Sequence, residues 1–269
     1  FMPMSHGCLY ETPTFCKYNK SRVRTMTDKQ PNKTYPINLA THNYLYLARF
    51  GSTVRNALIT HPRLLVIRVD LRFPDNYDVE GNKAMKAFMA AITSRLEARY
   101  KRKKKENPGK QVHYSELHYI WVRENNQCGK KIHYHTLLMF NMDVFNSLGN
   151  YWQEGNLADL IINAWLSALK LEGKEYRGLV YFCKSPCYRL NRANLKATDD
   201  YKKLMERTEY MAKHRTKIYS NRIRSAGSSI YDEQEQENKL TRKTARKNRK
   251  DAKREVLKGI QHNKQTGYH

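Results

Sequence analysis

Apolar positions recur along this chain in two periods, one helical and one strand-like. From Asn38 to Ile59, Leu39, Leu45, Leu47, Phe50, Val54, Leu58 and Ile59 fall at roughly helical spacing. Gly51 is expected to interrupt that helix. His61-Pro62 should end it, because the residue before a proline is pushed out of the α region. Leu64 to Phe73 is aliphatic and β-branched and predicts a strand stopped by Pro74. Its apolar face carries Leu65, Ile67, Val69, Leu71 and Phe73. The other carries Leu64, Val66, Arg68, Asp70 and Arg72, whose charged end should look outward or into a groove.

Lys83 to Lys105 reads as an amphipathic helix ending in the basic run Lys101 to Lys105, before the turn at Asn107-Pro108-Gly109. Two strand-like runs follow, Leu117 to Glu124 and Lys131 to Phe140. Asn125 to Lys130 between them holds Gly and Asn, so the pair predicts a hairpin. Leu157 to Leu171 predicts a helix and Gly178 to Cys183 a short strand. Asp199 to Tyr219 predicts a long helix opened by two acids, as the helix dipole favours. Residues 1–36, with Pro13, Pro31 and Pro36, read as a mobile leader, residues 37–231 as the folded domain, and residues 232–269 as a basic tail, disordered or helical only when bound.

Charge narrows the partners. Fifty Lys and Arg against twenty-five Asp and Glu give a net charge of +25 over 269 residues. A polyanion, nucleic acid or an anionic membrane, is the expected partner. No run of apolar residues is long enough for a transmembrane helix, and the first residues lack the profile of a secretory signal. Cys8, Cys16, Cys128, Cys183 and Cys187 match no zinc-finger spacing, so reduced thiols in a cytoplasm are expected.

The chemistry concentrates at His133-Tyr134-His135. Residues two apart on a strand share a face, so both imidazoles point one way and Tyr134 the other. Two surface histidines in a basic chain would give the same pattern, but a neutral imidazole pair is also a ready chelate for a divalent cation. Across the predicted hairpin, Glu124 lies opposite His133 and shares its face with His118, Ile120 and Val122. If that is the imidazole face, Glu124 completes a His, His, Glu set. A separate helical segment carries Tyr210 and Lys213, three apart on one face, with His214 and Lys217 extending it. A tyrosine becomes a nucleophile when its electrophile is polarised by a metal and a cation offsets the charge.

In that order (strand, carboxylate, H-hydrophobic-H, then Y-x-x-K) the motifs resemble those of HUH endonucleases, which nick single-stranded DNA. The likeness is closer to the inovirus-type Gp2, or YagK/YfjJ-type, replication proteins, through Ile67–Arg72, Tyr119–Glu124, His133–Asn141 and Tyr210–Lys217. It covers roughly residues 40–230. The middle position of the HUH is Tyr134 rather than an aliphatic residue, and Asp70 stands where many initiators carry a Thr/Phe-rich strand, which leaves its role open.

The resemblance implies an α+β fold of RRM or palm type. A central antiparallel sheet of about five strands would be flanked by helices, the HUH hairpin would lie near its centre, and the Tyr210 helix would lie across the metal site. It implies one Mg²⁺ or Mn²⁺ on His133, His135 and Glu124, although residue types alone also suit zinc. Tyr210 would attack the phosphate, leaving a 5′-phosphotyrosine and a free 3′-OH, with Lys213 offsetting charge. The expected activity is initiation of rolling-circle replication of a filamentous phage or related mobile element in a bacterial cytoplasm. Origin single-stranded DNA would be the partner, with host helicase and polymerase, and no membrane. Arg68, Arg72, Arg123, Lys217, His214 and the 101–105 run would line a DNA groove, with Trp121, Tyr119 and Tyr134 stacking on bases. The alternatives are a non-catalytic DNA-binding regulator, a phosphodiesterase that uses water, and a relaxase or transposase of the same superfamily.

Overall fold

The computed structural model describes residues 41–125, 131–215, 217, 219–220, 222–229 and 249. The predicted leader, the basic tail apart from residue 249, the hairpin turn at 126–130 and Cys8, Cys16 and Cys128 lie outside them. The elements run α1 (Tyr44–Thr60), β1 (Arg63–Arg72), α2 (Lys83–Glu106), β2 (His118–Asn125), β3 (Ile132–Asn141), α3 (Leu157–Leu169), β4 (Val180–Asn191), α4 (Asp199–Met211) and β5 (Ala226–Ser228). The fold is α+β: one five-stranded antiparallel sheet, ordered β4-β1-β3-β2-β5, with β3 at its centre and helices on both faces.

Both faces of the sheet are buried, each by its own helix pair. Leu65, Ile67, Val69 and Leu71 meet α2 and α3, through Phe88, Ile92, Ile161 and Trp165. Leu64 and Val66, on the other face of the same strand, meet α1 and α4, through Phe50, Val54, Leu204 and Met211. Strand alternation thus feeds two cores, and the face expected to look outward is covered over half its length. It opens only at the end where Asp70 and Arg72 stand.

Three expectations are corrected, and one strand has no counterpart among them. Gly51 does not break α1, which runs through it. A mid-helix glycine costs only about 1 kcal/mol, and the buried stripe of Phe50, Val54, Ala57 and Leu58 outweighs it. β4 runs beyond Cys183 to Asn191, because Ser185 takes a left-handed conformation (φ 56°) and a bulge opposite Arg68 absorbs Pro186 on this edge strand. α4 stops at Met211 rather than Tyr219. Ala212 and His214 turn away to hydrogen-bond Asn43 (2.8 Å) and Thr41 (2.9 Å) through the backbone. The strand β5 has no apolar signature of its own. It forms because Gly227 lets the backbone pass under Trp121, where a Cβ would lie 2.6 Å from the indole.

Candidate functional site

At the open end of the α1/α4 face, neighbouring strands deliver four polar side chains to one place. The register sets two cross-strand rows. Asp70 of β1 pairs with His135 of β3, which pairs with Val122 of β2. Arg72 pairs with His133, which pairs with Glu124. The His133 and His135 rings cross at 82° with their Nε2 atoms 3.2 Å apart, and a Glu124 carboxylate oxygen lies 3.6 Å from His135 Nε2. Ligand atoms of Glu124, His133 and His135 all lie within 4.8 Å of one another. The His, His, Glu set inferred from alternation is assembled.

Asp70 fixes how the set is presented. His135 donates from Nδ1 to Asp70 Oδ1 at 2.6 Å. The proton therefore sits on Nδ1 and the Nε2 lone pair faces His133 and Glu124, the arrangement of a carboxylate-backed metal ligand. Burial pushes the Asp70 carboxyl up, but His135, Arg68 and His133 outweigh it and hold it below the usual range. Arg68 lies 3.4 Å from the same Asp70 oxygen. Burial, and then His135, lowers the His133 imidazole, against Glu124 and Asp70, which favours its neutral, ligating form. Two imidazoles and a carboxylate, with ligand atoms all within 4.8 Å of one another, fit a divalent cation. Residue types do not choose among Mg²⁺, Mn²⁺ and Zn²⁺.

Lys217 is the counter-ion. Its buried ammonium donates to Glu124, and its backbone pairs with Glu124 as an isolated bridge. Burial lowers its pKa and Glu124 opposes the shift. The sequence placed Lys217 on the Tyr210 helix facing DNA, whereas it lies beyond the end of α4 inside the site.

Tyr210 and Lys213 do come together. Tyr210, in the last turn of α4, is 46% exposed, with the Lys213 ammonium 4.9 Å and the Arg207 guanidinium 6.0 Å from its ring centre. Lys213 lies past the helix, held to the Tyr210 carbonyl by its backbone and to His42 by a bridge. Leu204, Met211 and Ala212 seat this region on the face that carries the histidine pair, and the chain leaving it runs to Glu124 through Lys217.

The expected DNA-binding residues divide. Arg72 is exposed beside the cluster and His214 is half-buried, its Nδ1 2.8 Å from the Tyr219 hydroxyl. Arg68 is buried on Asp70. Arg123 is buried on the opposite face beside Tyr134, because alternation turns it away from Glu124. The 101–105 run belongs to α2, in the helix layer of that opposite face, and Lys103 pairs with Glu106 at 2.9 Å. Tyr134 and Trp121 are not base platforms. They meet edge to face in the core, 5.7 Å apart, where the Tyr134 hydroxyl donates to Asn82 at 2.8 Å. Tyr119 is partly buried against the same core. Asp70 is the residue whose role the sequence left open; its one trace there is an acid between two arginines in an otherwise apolar strand.

The family model for the YagK/YfjJ C-terminal domain matches residues 25–229. The chain is similar to YagK of Escherichia coli (strain K12), 31% identical over 206 residues, which cover 73% of this chain and 98% of that protein. It is similar to YfjJ of the same strain, 32% identical over 208 residues, covering 73% of this chain and 99% of that protein. Both relatives are described as uncharacterized. No solved structure matches the chain. Among the described residues no helix is long and apolar enough to cross a membrane.

Proposed function

The chain belongs to the YagK/YfjJ C-terminal domain family, and from that premise we propose that it nicks and rejoins single-stranded DNA by tyrosine attack, as an HUH endonuclease of inovirus Gp2 type. The observation that carries the reading is the convergence of His133 Nε2, His135 Nε2 and the Glu124 carboxylate on one point of the sheet, with Asp70 behind His135. The net charge of +25 supports a nucleic-acid substrate. Tyr210 lies in the last turn of α4, the helix packed on that sheet face through Leu204 and Met211, and its exposed phenol supports a covalent route.

A divalent ion on His133, His135 and Glu124, Mg²⁺ or Mn²⁺ by the family resemblance, would supply Lewis acidity to a scissile phosphodiester. The chain's residues supply the rest. Tyr210 Oη forms a bond to phosphorus as the bond from phosphorus to the 3′ oxygen breaks. The phenolic proton ends on that oxygen, giving a 3′-OH and a 5′-phosphotyrosine. Lys213, over the Tyr210 ring, offsets the charge that develops on the phenol. Lys217 neutralises Glu124 and orients it. Because the phosphodiester is exchanged rather than hydrolysed, attack by a 3′-OH restores the strand. That is the chemistry needed to start and close a rolling-circle replication round on a filamentous phage or related mobile element.

The test is incubation of the full chain with a labelled single-stranded oligonucleotide library and Mn²⁺ or Mg²⁺, read as a covalent protein–DNA band on a denaturing gel. The band is expected with metal, absent with EDTA, and absent in Tyr210→Phe, which still binds DNA. Free 5′-phosphate ends without an adduct would mean a nuclease using water. Binding without cleavage would mean a regulator.

A further inference from the structure

One exposed aromatic side chain stands on the site face with no part in the chemistry above. Tyr181, near the start of the edge strand β4, is the cross-strand partner of Asp70 in the β1–β4 register. Cross-strand partners share a face, so Tyr181, Asp70 and His135 form a single row across β4, β1 and β3. Two strand spacings, roughly 10 Å, separate Tyr181 from His135 along that row. Arg72, in the neighbouring row with His133 and Glu124, reaches over and sets its guanidinium carbon 4.8 Å from the Tyr181 ring centre.

The ring is not packing material. The flanking residues Val180 and Phe182 turn to the other face and join the α2/α3 core. Tyr181 remains 45% exposed. Among the described residues its hydroxyl has no hydrogen-bond partner and Arg72 is its only ring partner. An aromatic ring left in water forgoes the burial that normally justifies it. Here it carries a cation on one side and is open on the other, beside a candidate phosphate-handling centre, in a chain of net charge +25.

We propose that Tyr181 and Arg72 form a base-stacking subsite for the single strand. An unpaired base lies on the open face of the Tyr181 ring, while Arg72 holds the other face and meets the neighbouring phosphate. Every base has a π-face, so the subsite grips the strand without reading its sequence. It sets the path of DNA from the β4 edge across Asp70 to the histidine pair. The proposal deepens the nicking reading and rests on it.

Fluorescence anisotropy of a labelled oligothymidylate in EDTA tests it, with the wild-type chain, Tyr181→Ala and Tyr181→Phe. Tyr181→Ala should weaken binding about 5- to 150-fold, the range of one base–aromatic stack. Tyr181→Phe keeps the ring and should bind within about twofold of wild type, and it should still form the covalent adduct. An oligonucleotide with abasic sugars should bind wild type more weakly yet lose little further with Tyr181→Ala. The stabilisation of the chain by Mn²⁺ in thermal unfolding should be the same in all three.

If Tyr181→Ala binds as wild type while wild type binds DNA and forms the adduct, the subsite fails and the nicking reading stands. If Tyr181→Phe loses as much as Tyr181→Ala, or loses the adduct, the hydroxyl is the working group and stacking is wrong. A wild-type chain that binds no single strand removes both readings.

Discussion

Two pairs of histidines occupy the same face of the sheet, at opposite ends, and they are built for different tasks. His61 and His118 meet edge to face, 6.1 Å apart. His61 Nε2 serves the Glu116 backbone at 3.0 Å, and buried His118 has an Nε2 with no partner. Among the described residues no carboxylate shifts His118, so burial, and then His61, drives its imidazole down to about 4. His133 and His135 are closer, at 4.7 Å, and carboxylates bracket them: Asp70 behind and Glu124 in front. An imidazole pair alone is therefore core material. The acids that fix a tautomer and add a ligand make it a candidate metal centre.

An acid titration gives the largest effect that separates the pairs. The His118 pKa is below its ordinary 6.5 in the fold, so the unfolded chain takes up the proton first. Stability from this group is full above pH 6.5 and falls as the pH drops to about 4, by about 3 kcal/mol. His61, also lowered by burial, acts in the same direction despite the Glu116 interactions that oppose it, and so does His133 of the other pair, without the large shift of His118. Urea unfolding between pH 4 and 7 should show this slope, and His118→Leu should flatten it. A slope unchanged by His118→Leu would place the acid sensitivity elsewhere.

Asp70→Asn comes next, at the other pair. It keeps the shape but loses the charge behind His135, and should weaken Mn²⁺ binding about 10- to 100-fold by calorimetry. His118→Leu should leave that affinity alone. Equal effects from the two variants would erase the distinction between the pairs. The smallest effect is the stability of His118→Leu at pH 7, expected to equal wild type or exceed it by about 1 kcal/mol in thermal unfolding. An orphaned buried nitrogen is replaced there by an apolar side chain of similar size.

Much of this was legible in the chain. The two periods located β1, α2, β2, β3 and α3 to within a few residues, and the end of α1, whose start lies six residues later than the pattern gave. Alternation across one short hairpin put Glu124 opposite His133, as the register has it. What alternation could not supply was the identity of the strand on the other side of β3. Asp70 acquires its role because β1, separated from β3 by a whole helix and β2, pairs with it in the register that sets Asp70 against His135. Tyr181 comes to the site by the same route through β4.

The far end of α4 shows the converse. The 199–219 segment has helical character throughout, yet the helix ends at Met211 because the 41–43 segment takes the next backbone groups and Glu124 takes Lys217. Propensity is a weak prior, and a few long-range hydrogen bonds with a buried ion pair override it. Sequence by itself set the local geometry: which residues share a strand face, and therefore that two imidazoles and one acid would converge. Tertiary structure alone decided what surrounds them, namely the acid behind His135, the lysine on Glu124 and the exposed ring one strand beyond Asp70. Face-sharing follows from backbone stereochemistry within a few residues, whereas those neighbours come from pairings between distant segments, chosen by how two helix layers pack on one sheet.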